Sequence, residues 1–341
     1  MEITSVYHRP ESEFAYLYDE KTMHIRLRTQ KGDMRGAHLH YGDTGIFYLK
    51  GYEHCVPMQK ILIDKYYDYF ESKVKVSHHR IQYIFELEDQ AGLKLLYGDR
   101  GVAPNQKEQL NHFMNGFKLP YCHEVDHCKE PTWLNGDEYH AVMNYNLAEP
   151  IKQYFLTGEI DTAELIHQVI AQQMKYRRQV TEAMLNLLDS HDTPRILTLA
   201  KGNKDFVKAA LTFLFLQAGS PCLYYGTEVG LEGGEDPDNR RAMAWKLDQV
   251  DSEMKDFVKQ LIHLRRTCLP QIFGDFHLTE EANGILALEV GVDGQRLLAR
   301  FNQTGQVLFL PQVGETLLSQ KREGEYIGYG GFEVSFIKAP I

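Results

Sequence analysis

In residues 184–198 an apolar run, Met184, Leu185, Leu187 and Leu188, stops abruptly at a polar knot, Asp189-Ser190-His191-Asp192-Thr193, and a helix-like pattern then resumes. A buried strand that delivers carboxylates and an imidazole from its C-terminal end is how an α/β barrel builds a site, because its chemistry sits on the loops that follow the strands. Asp, Ser and Thr are also ordinary turn and N-cap residues. Alone, the stretch reads equally as a strand ending in a turn.

The surrounding chain repeats the arrangement. Residues 140–145 are a strand candidate, followed by a helix-like piece over 149–156 with Pro150 in its first turn. Residues 162–179 set Leu165, Ile166, Val169, Ile170 and Met174 on one helical face. A second helix is expected over 205–217, closed by Gly219-Ser220-Pro221, with Cys222-Leu223-Tyr224-Tyr225 as the next strand and a last helix over 252–266. That β-α-β-α-β-α order belongs to a parallel sheet with crossover helices. Residues 1 to about 120 instead alternate in the period of half-buried strands, at 13–18, 24–29, 66–76 and 80–89, and predict an antiparallel sandwich. Strands return from about 271, at 284–290, 296–301 and 307–310, with a turn at 328–331 before a final strand over 332–337.

With 341 residues the chain has room for two or three domains. A net charge of −10 without a Lys/Arg-rich run argues against nucleic acid as a partner. No stretch approaches the roughly 18 apolar residues of a membrane span. The N-terminus lacks the basic and apolar regions of a secretory signal. Five scattered cysteines do not form a disulfide framework, so the cytoplasm is the expected compartment.

Three longer segments carry a family resemblance: LLDSHDTPR from 187, GSPCLYYGTEVGLEGGEDPDNRRAMAW from 219 and WLNGDEYHAVMNY from 133. In order and spacing they resemble the strand-7, strand-8 and strand-6 segments of glycoside hydrolase family 13, the α-amylase family, in its cyclomaltodextrinase, neopullulanase and maltogenic amylase branch. YHRPESEFAYLYDEKTMHIRLRT and FMNGFKLPY resemble that branch's N-terminal starch-binding type domain, and the last residues resemble its C-terminal β-domain. The resemblance implies three pieces: an N-terminal β-sandwich over 1–126, strands 6–8 of an incomplete, TIM-type β/α barrel over 127–270, and a C-terminal antiparallel β-sandwich over 271–341. The first half of the barrel has no counterpart between Glu124 and Trp133, and with it goes the strand-4 Asp that is the family nucleophile. Retaining hydrolysis needs two carboxylates about 5 Å apart.

By the same resemblance His191 and Asp192 grip sugar hydroxyls and stabilise the oxocarbenium-like transition state, and Asp236 and Arg240 contact sugar. Tyr145 and Glu228 lie in the matched segments and are further substrate-binding candidates. Glu124 resembles the acid/base at the end of the strand-5 motif, the commoner alternative being a linker carboxylate; for Asp236 and Arg240 the alternative is a loop-stabilising ion pair. The implied ligand is an α-glucan, maltooligosaccharide or cyclodextrin. No cofactor or metal is expected. Cys122-His123-Glu124-Val125-Asp126-His127-Cys128 does contain H-E-x-x-H, a zinc-hydrolase signature on a helix, but Pro120 and Pro131 leave room for barely two turns. Tyr66, Tyr67, Tyr69 and Phe70 form either a stacking platform for sugar rings or ordinary strand packing. Half a barrel exposes strand edges, which predicts a homodimer or higher homo-oligomer. The function implied is hydrolysis of α-1,4-glucosidic bonds. The alternative is a catalytically inactive α-glucan-binding or scaffold protein.

Overall fold

The computed structural model describes residues 1–10, 12–19, 21–42, 52–76, 81–99, 101–104, 117–119, 141–243, 245 and 251–338. The chain divides into two compact units, Met1–Glu138 with Gln173–Gln179, and Tyr139–Gln172 with Val180–Ile341.

In the first unit the described strands are β1 (Ala15–Leu17), β2 (Thr22–Gln30), β3 (Met34–Gly42), β4 (His54–Pro57), β5 (Gln59–Ile63), β6 (Tyr67–Lys75), β7 (Ile81–Asp89), β8 (Lys94–Gly98), β9 (Gly101–Pro104) and β10 (Phe117–Leu119). They form two antiparallel sheets, β1-β2-β6-β5 and β4-β3-β7-β8-β9, with β10 beside β8 on the same edge of β7. The alternation in the sequence explains the sandwich. Met23, Ile25 and Leu27 of β2 and Ile81, Tyr83, Phe85 and Leu87 of β7 point to one shared core, while the residues between them face away. Within that core His8 lies against the rings of Phe14, Phe85 and Phe117. On the outer face Glu71 accepts from Arg26 Nε at 2.8 Å and pairs with His24 Nδ1 at 3.3 Å. Residues 173–179 lie on this face too: Arg178 N donates to the Tyr16 hydroxyl and Gln179 Nε2 to the Tyr18 carbonyl.

The second unit carries an incomplete β/α barrel. Met143 bridges Leu185 in parallel, and β11 (Leu185–Asn186) pairs in parallel with β12 (Ser220–Pro221). Its helices are α1 (Tyr145–Lys152), α2 (Thr162–Lys175), α3 (Arg178–Ala183), α4 (Ile196–Leu199), α5 (Lys204–Phe215), α6 (Ser252–Thr267) and α7 (Leu269–Ile272); α3 begins in the first unit. Asn203 caps α5 by accepting from Asp205 N and Phe206 N, and Asp251 caps α6 by accepting from Met254 N. A ladder of buried amides ties the three short strands together: Gln172 Nε2 donates to Asn144 Oδ1, Asn144 Nδ2 to Asn186 Oδ1, and Asn186 Nδ2 to the Ala218 carbonyl. Because Asn144 is spent on that ladder, it does not cap α1 with its side chain.

Four expectations are corrected here. Tyr145 opens a helix instead of closing a strand, and Pro150 sits well inside α1 instead of in its first turn. The chain then widens into a π-turn over Gln153–Thr157. The third strand pairs at Ser220–Pro221, ahead of Cys222-Leu223-Tyr224-Tyr225, because the two tyrosines are drawn away to cover Arg195. The helix expected over 162–179 breaks between α2 and α3 at Tyr176-Arg177.

The rest of the unit is an antiparallel sheet of β13 (Asp275–Glu280), β14 (Leu286–Val292), β15 (Gln295–Phe301), β16 (Leu308–Phe309), β17 (Glu315–Glu323) and β18 (Tyr326–Lys338). Its order is β13-β14-β15-β18-β16, with β17 also on β18. The turn expected at 328–331 is absent, for β18 runs straight through it. Gly330, at φ +76°, lets the strand approach the Phe206 ring so closely that a Cβ would meet it at 2.9 Å. The sheet and the barrel helices share one core, in which Phe155, Phe213 and Phe301 meet one another edge-on or tilted and Phe301 meets Phe332 in turn.

Candidate functional site

The loop after β11 and the loop after β12 meet at the C-terminal ends of the parallel strands. The first is folded on itself: Ser190 N donates to Thr193 Oγ1, and Asp192 N to Ser190 Oγ. Tyr145, at the start of α1, donates its hydroxyl to the same Ser190 Oγ at 3.1 Å, so the loop is also tied to the Met143 strand position. Asp189 points inward. Its carboxylate accepts from Thr227 Oγ1 at 2.8 Å and Ile196 N at 3.4 Å, and burial pushes its pKa above the usual carboxylate range. It joins the two loops from beneath.

Arg195 and Asn239, both fully buried, do the same from within. Arg195 Nε donates to the Asn239 carbonyl at 2.8 Å, Nη1 donates to the Tyr225 carbonyl, and the guanidinium lies 3.9 Å from the Tyr224 ring centre and 4.7 Å from that of Tyr225. Asn239 Nδ2 donates to the carbonyls of Ser190, His191 and Thr193. Neither residue was marked by the sequence as more than part of a motif. A buried Arg is rare enough to signal a role, but its burial is not written in the chain.

On this base stands an exposed polar row. His191 Nε2 lies 3.1 Å from Asp192 Oδ2; Arg240 Nη2 lies 3.7 Å from Asp192 Oδ1 and donates to Asp236 Oδ2 at 2.9 Å. Side-chain exposure of 45–61% across these four residues leaves their charges in water, where such pairs add little to stability. Their arrangement is therefore suited to meeting a ligand with many hydroxyls. Arg241 pairs with Asp238 through two hydrogen bonds and accepts the Tyr225 hydroxyl on its carbonyl, which stiffens the outer loop.

Of the residues singled out in the sequence, His191, Asp192, Asp236 and Arg240 come together, and Tyr145 joins them through Ser190. Glu228 sits half-buried in the 3₁₀ turn Thr227–Val229 and makes none of these contacts. Glu124 and the whole H-E-x-x-H segment lie outside the described residues. Among the described residues no group of three or more His, Cys, Asp and Glu side chains is placed to hold a metal ion, and no helix is long and apolar enough to cross a membrane. In the first unit the row of rings is committed: Arg28 stacks on Tyr67 at 4.3 Å, buried Tyr69 donates to Asp64 Oδ2, and Lys65 Nζ lies 5.4 Å from the ring centre of the more exposed Tyr66.

Comparison with known proteins agrees with this fold. The description "Alpha amylase, N-terminal ig-like domain" matches residues 1–123, and "Alpha amylase, catalytic domain" matches residues 109–269. An intracellular maltogenic amylase of Bacillus subtilis is 41% identical over 183 residues, covering 53% of this chain and 31% of that protein. A cyclomaltodextrinase of Geobacillus thermopakistaniensis is 42% identical over 143 residues, 42% of this chain and 24% of that protein. The chain thus spans about a third or less of the curated relatives it matches. A solved cyclomaltodextrinase aligns over 98% of this chain and 100% of its own with a TM-score of 0.82 at 19% identity, a likeness of fold. A maltogenic amylase from S. marinus aligns over 99% and 83% with a TM-score of 0.71 at 14% identity. Two overlapping stretches, together covering residues 1–269, match successive parts of one enzyme architecture, and the parallel strands within the second carry the loops on which the polar row stands; the chain belongs to the α-amylase family.

Proposed function

We propose that the chain is an α-glucan-acting glycoside hydrolase of the cyclomaltodextrinase type, divided as 1–126, 127–270 and 271–341, whose loops after β11 and β12 supply the sugar-gripping part of the site. The observation that carries this reading is the row His191, Asp192, Arg240 and Asp236 on adjacent loops at the ends of parallel strands. Carboxylates and a guanidinium in water-exposed sequence are matched to vicinal hydroxyls, which both donate and accept. In this reading Asp192 and His191 hold the sugar being cleaved, Asp236 and Arg240 its neighbour, Tyr145 flanks them through Ser190, and Glu124 is the acid. The relatives' names point to maltooligosaccharides and cyclodextrins as ligands, and that of the Bacillus subtilis protein to an intracellular place. A homodimer completes the proposal.

A second reading, an α-glucan-binding protein without hydrolysis, draws on one feature: Asp192 and Asp236 share Arg240, so neither stands as a free partner for a second carboxylate. Release of reducing sugar from cyclodextrin or starch separates the two. Hydrolysis should fall at least about 100-fold in Asp192→Asn, the scale of losing a transition-state contact; equal rates remove Asp192 from the mechanism. If the intact chain releases no sugar, calorimetry with maltooligosaccharides decides for or against binding. A zinc hydrolase built on His123, Glu124 and His127 is the distant alternative, for which activity would vanish on chelation and return with zinc.

A further inference from the structure

Two consecutive residues donate to one carbonyl. Asn239 Nδ2 lies 2.9 Å from the His191 oxygen and Arg240 Nε lies 3.0 Å from it. A carbonyl offers two lone pairs, so this oxygen is fully engaged and the peptide plane joining His191 to Asp192 cannot swivel. The same Nδ2 reaches Thr193 O at 2.9 Å and Ser190 O at 3.4 Å. Three carbonyls around one nitrogen also settle which way the amide faces, because the flipped amide would set its oxygen against all three. Asn239 is itself held: Arg195 Nε donates to its carbonyl, and a Cβ on Gly233 would lie 2.8 Å from Asn239 Cα and 2.6 Å from the Asp238 carbonyl, so the backbone there admits only glycine's bulk.

We propose that Asn239 is a positioning residue for the His191–Asp192 pair, setting the peptide plane between them through its carboxamide N–H groups and not through its volume. The proposal rests on the α-glucan reading for its consequence in binding, and on geometry alone for its consequence at His191. Asn239 is wholly buried and so touches no ligand itself. It acts by aiming two side chains that stand in solvent, from beneath the contacts that Arg240 makes to the His191 carbonyl and to Asp192.

Three substitutions separate donor from bulk. Asn239→Ser keeps one donor, Asn239→Ala keeps none, and Asn239→Asp keeps the shape while turning acceptors toward three carbonyls. The readouts are the maltooligosaccharide Kd by calorimetry, the ring ¹H–¹⁵N correlation of His191 (assigned with His191→Gln), and thermal melting to find a temperature at which every variant is folded. Binding should weaken in the order Ser, Ala, Asp, by about tenfold at Ala, with the His191 signal displaced in the same order. A space-filling role gives the order Asp, Ser, Ala instead, with Asp nearest the parent protein, and overturns the proposal; so does an unmoved His191 signal in all three. Should Asn239→Asp not fold, a displaced signal in Ala with Ser between it and the parent supports the proposal, and two unmoved signals overturn it. If the parent chain binds no α-glucan, the functional reading fails while the His191 signal still decides the role of Asn239.

Discussion

His8 shows how a single side chain couples folding to pH. Its Nδ1–H donates to the Arg26 carbonyl at 2.7 Å, which leaves Nε2 to accept the Tyr83 hydroxyl at 2.8 Å, so the neutral ring is fully satisfied. Burial pushes its pKa down to about 3. Between the ordinary value near 6.5 and that figure the unfolded chain takes up a proton that the folded one refuses. This stability is therefore complete above about pH 6.5 and is lost as pH falls, at about 1.4 kcal/mol per pH unit. Urea unfolding at pH 7.5 and pH 5.0 should differ by about 2 kcal/mol from this source. His8→Gln, which cannot protonate, should flatten the dependence; an unchanged slope would clear His8 of it. Glu71 acts in a lower range: despite its burial, His24 and Arg26 beside it hold the carboxyl down at about 2, so its contribution persists until pH falls below the usual carboxylate range. The chain shows that His8 and Glu71 exist; whether either is buried depends on which strands fold over them.

At the scale of elements, the end of α5 depends on a side chain from α6. Arg265 Nη1 donates to the carbonyls of Phe215 and Gln217, and Nη2 donates to that of Gly219. These carbonyls lie at and beyond a helix end, where intrahelical partners run out. Burial lowers the guanidinium to about pKa 10, which still leaves it charged at neutral pH. Arg265→Ala should cost about 3 kcal/mol, because it strands buried acceptors, and Arg265→Lys should recover part of that with one point donor in place of a fork. Chemical denaturation reads both, and an Ala variant within 0.5 kcal/mol of the parent, about the size of an ordinary surface change, would show that the carbonyls find other partners. The helical periodicity of α5 and α6 was readable, as were β2, β6 and β7, because one-sided burial leaves a period of 3.6 or 2 in the residues. β17 was not: its side chains alternate between exposed and half-buried with little apolar contrast, so it is a strand only because β18 lies beside it. β3 escaped for a related reason, its row of His and Gly residues giving weak contrast until β7 covers it.

In the whole molecule, the second unit leaves Val142, Met143 and Leu185 between 36% and 40% exposed around the parallel pairing. Apolar residues at an open strand edge favour a second chain. In the homodimer proposed above, sedimentation equilibrium at tens of micromolar should give twice the chain mass, and Met143→Asp should return it to one; a parent chain that sediments as a monomer would remove the dimer. The order of the pieces, β-rich, then β/α, then β-rich, was determined by the sequence alone, since hydrophobic period and motif order are local properties that survive without coordinates. So was the identity of His191, Asp192, Asp236 and Arg240 as candidates. Only the tertiary structure decided that Arg240 stands between the two carboxylates, that Asn239 and Arg195 hold the loops from inside, and that Glu228 stands apart. The Asp236–Arg240 pair spans four positions and was legible as an ion pair, but Arg240 reaches Asp192, and Asn239 reaches Arg195 and His191, over 44–48 positions; a contact of that span leaves no period in the chain and exists only once the strands have brought their ends together.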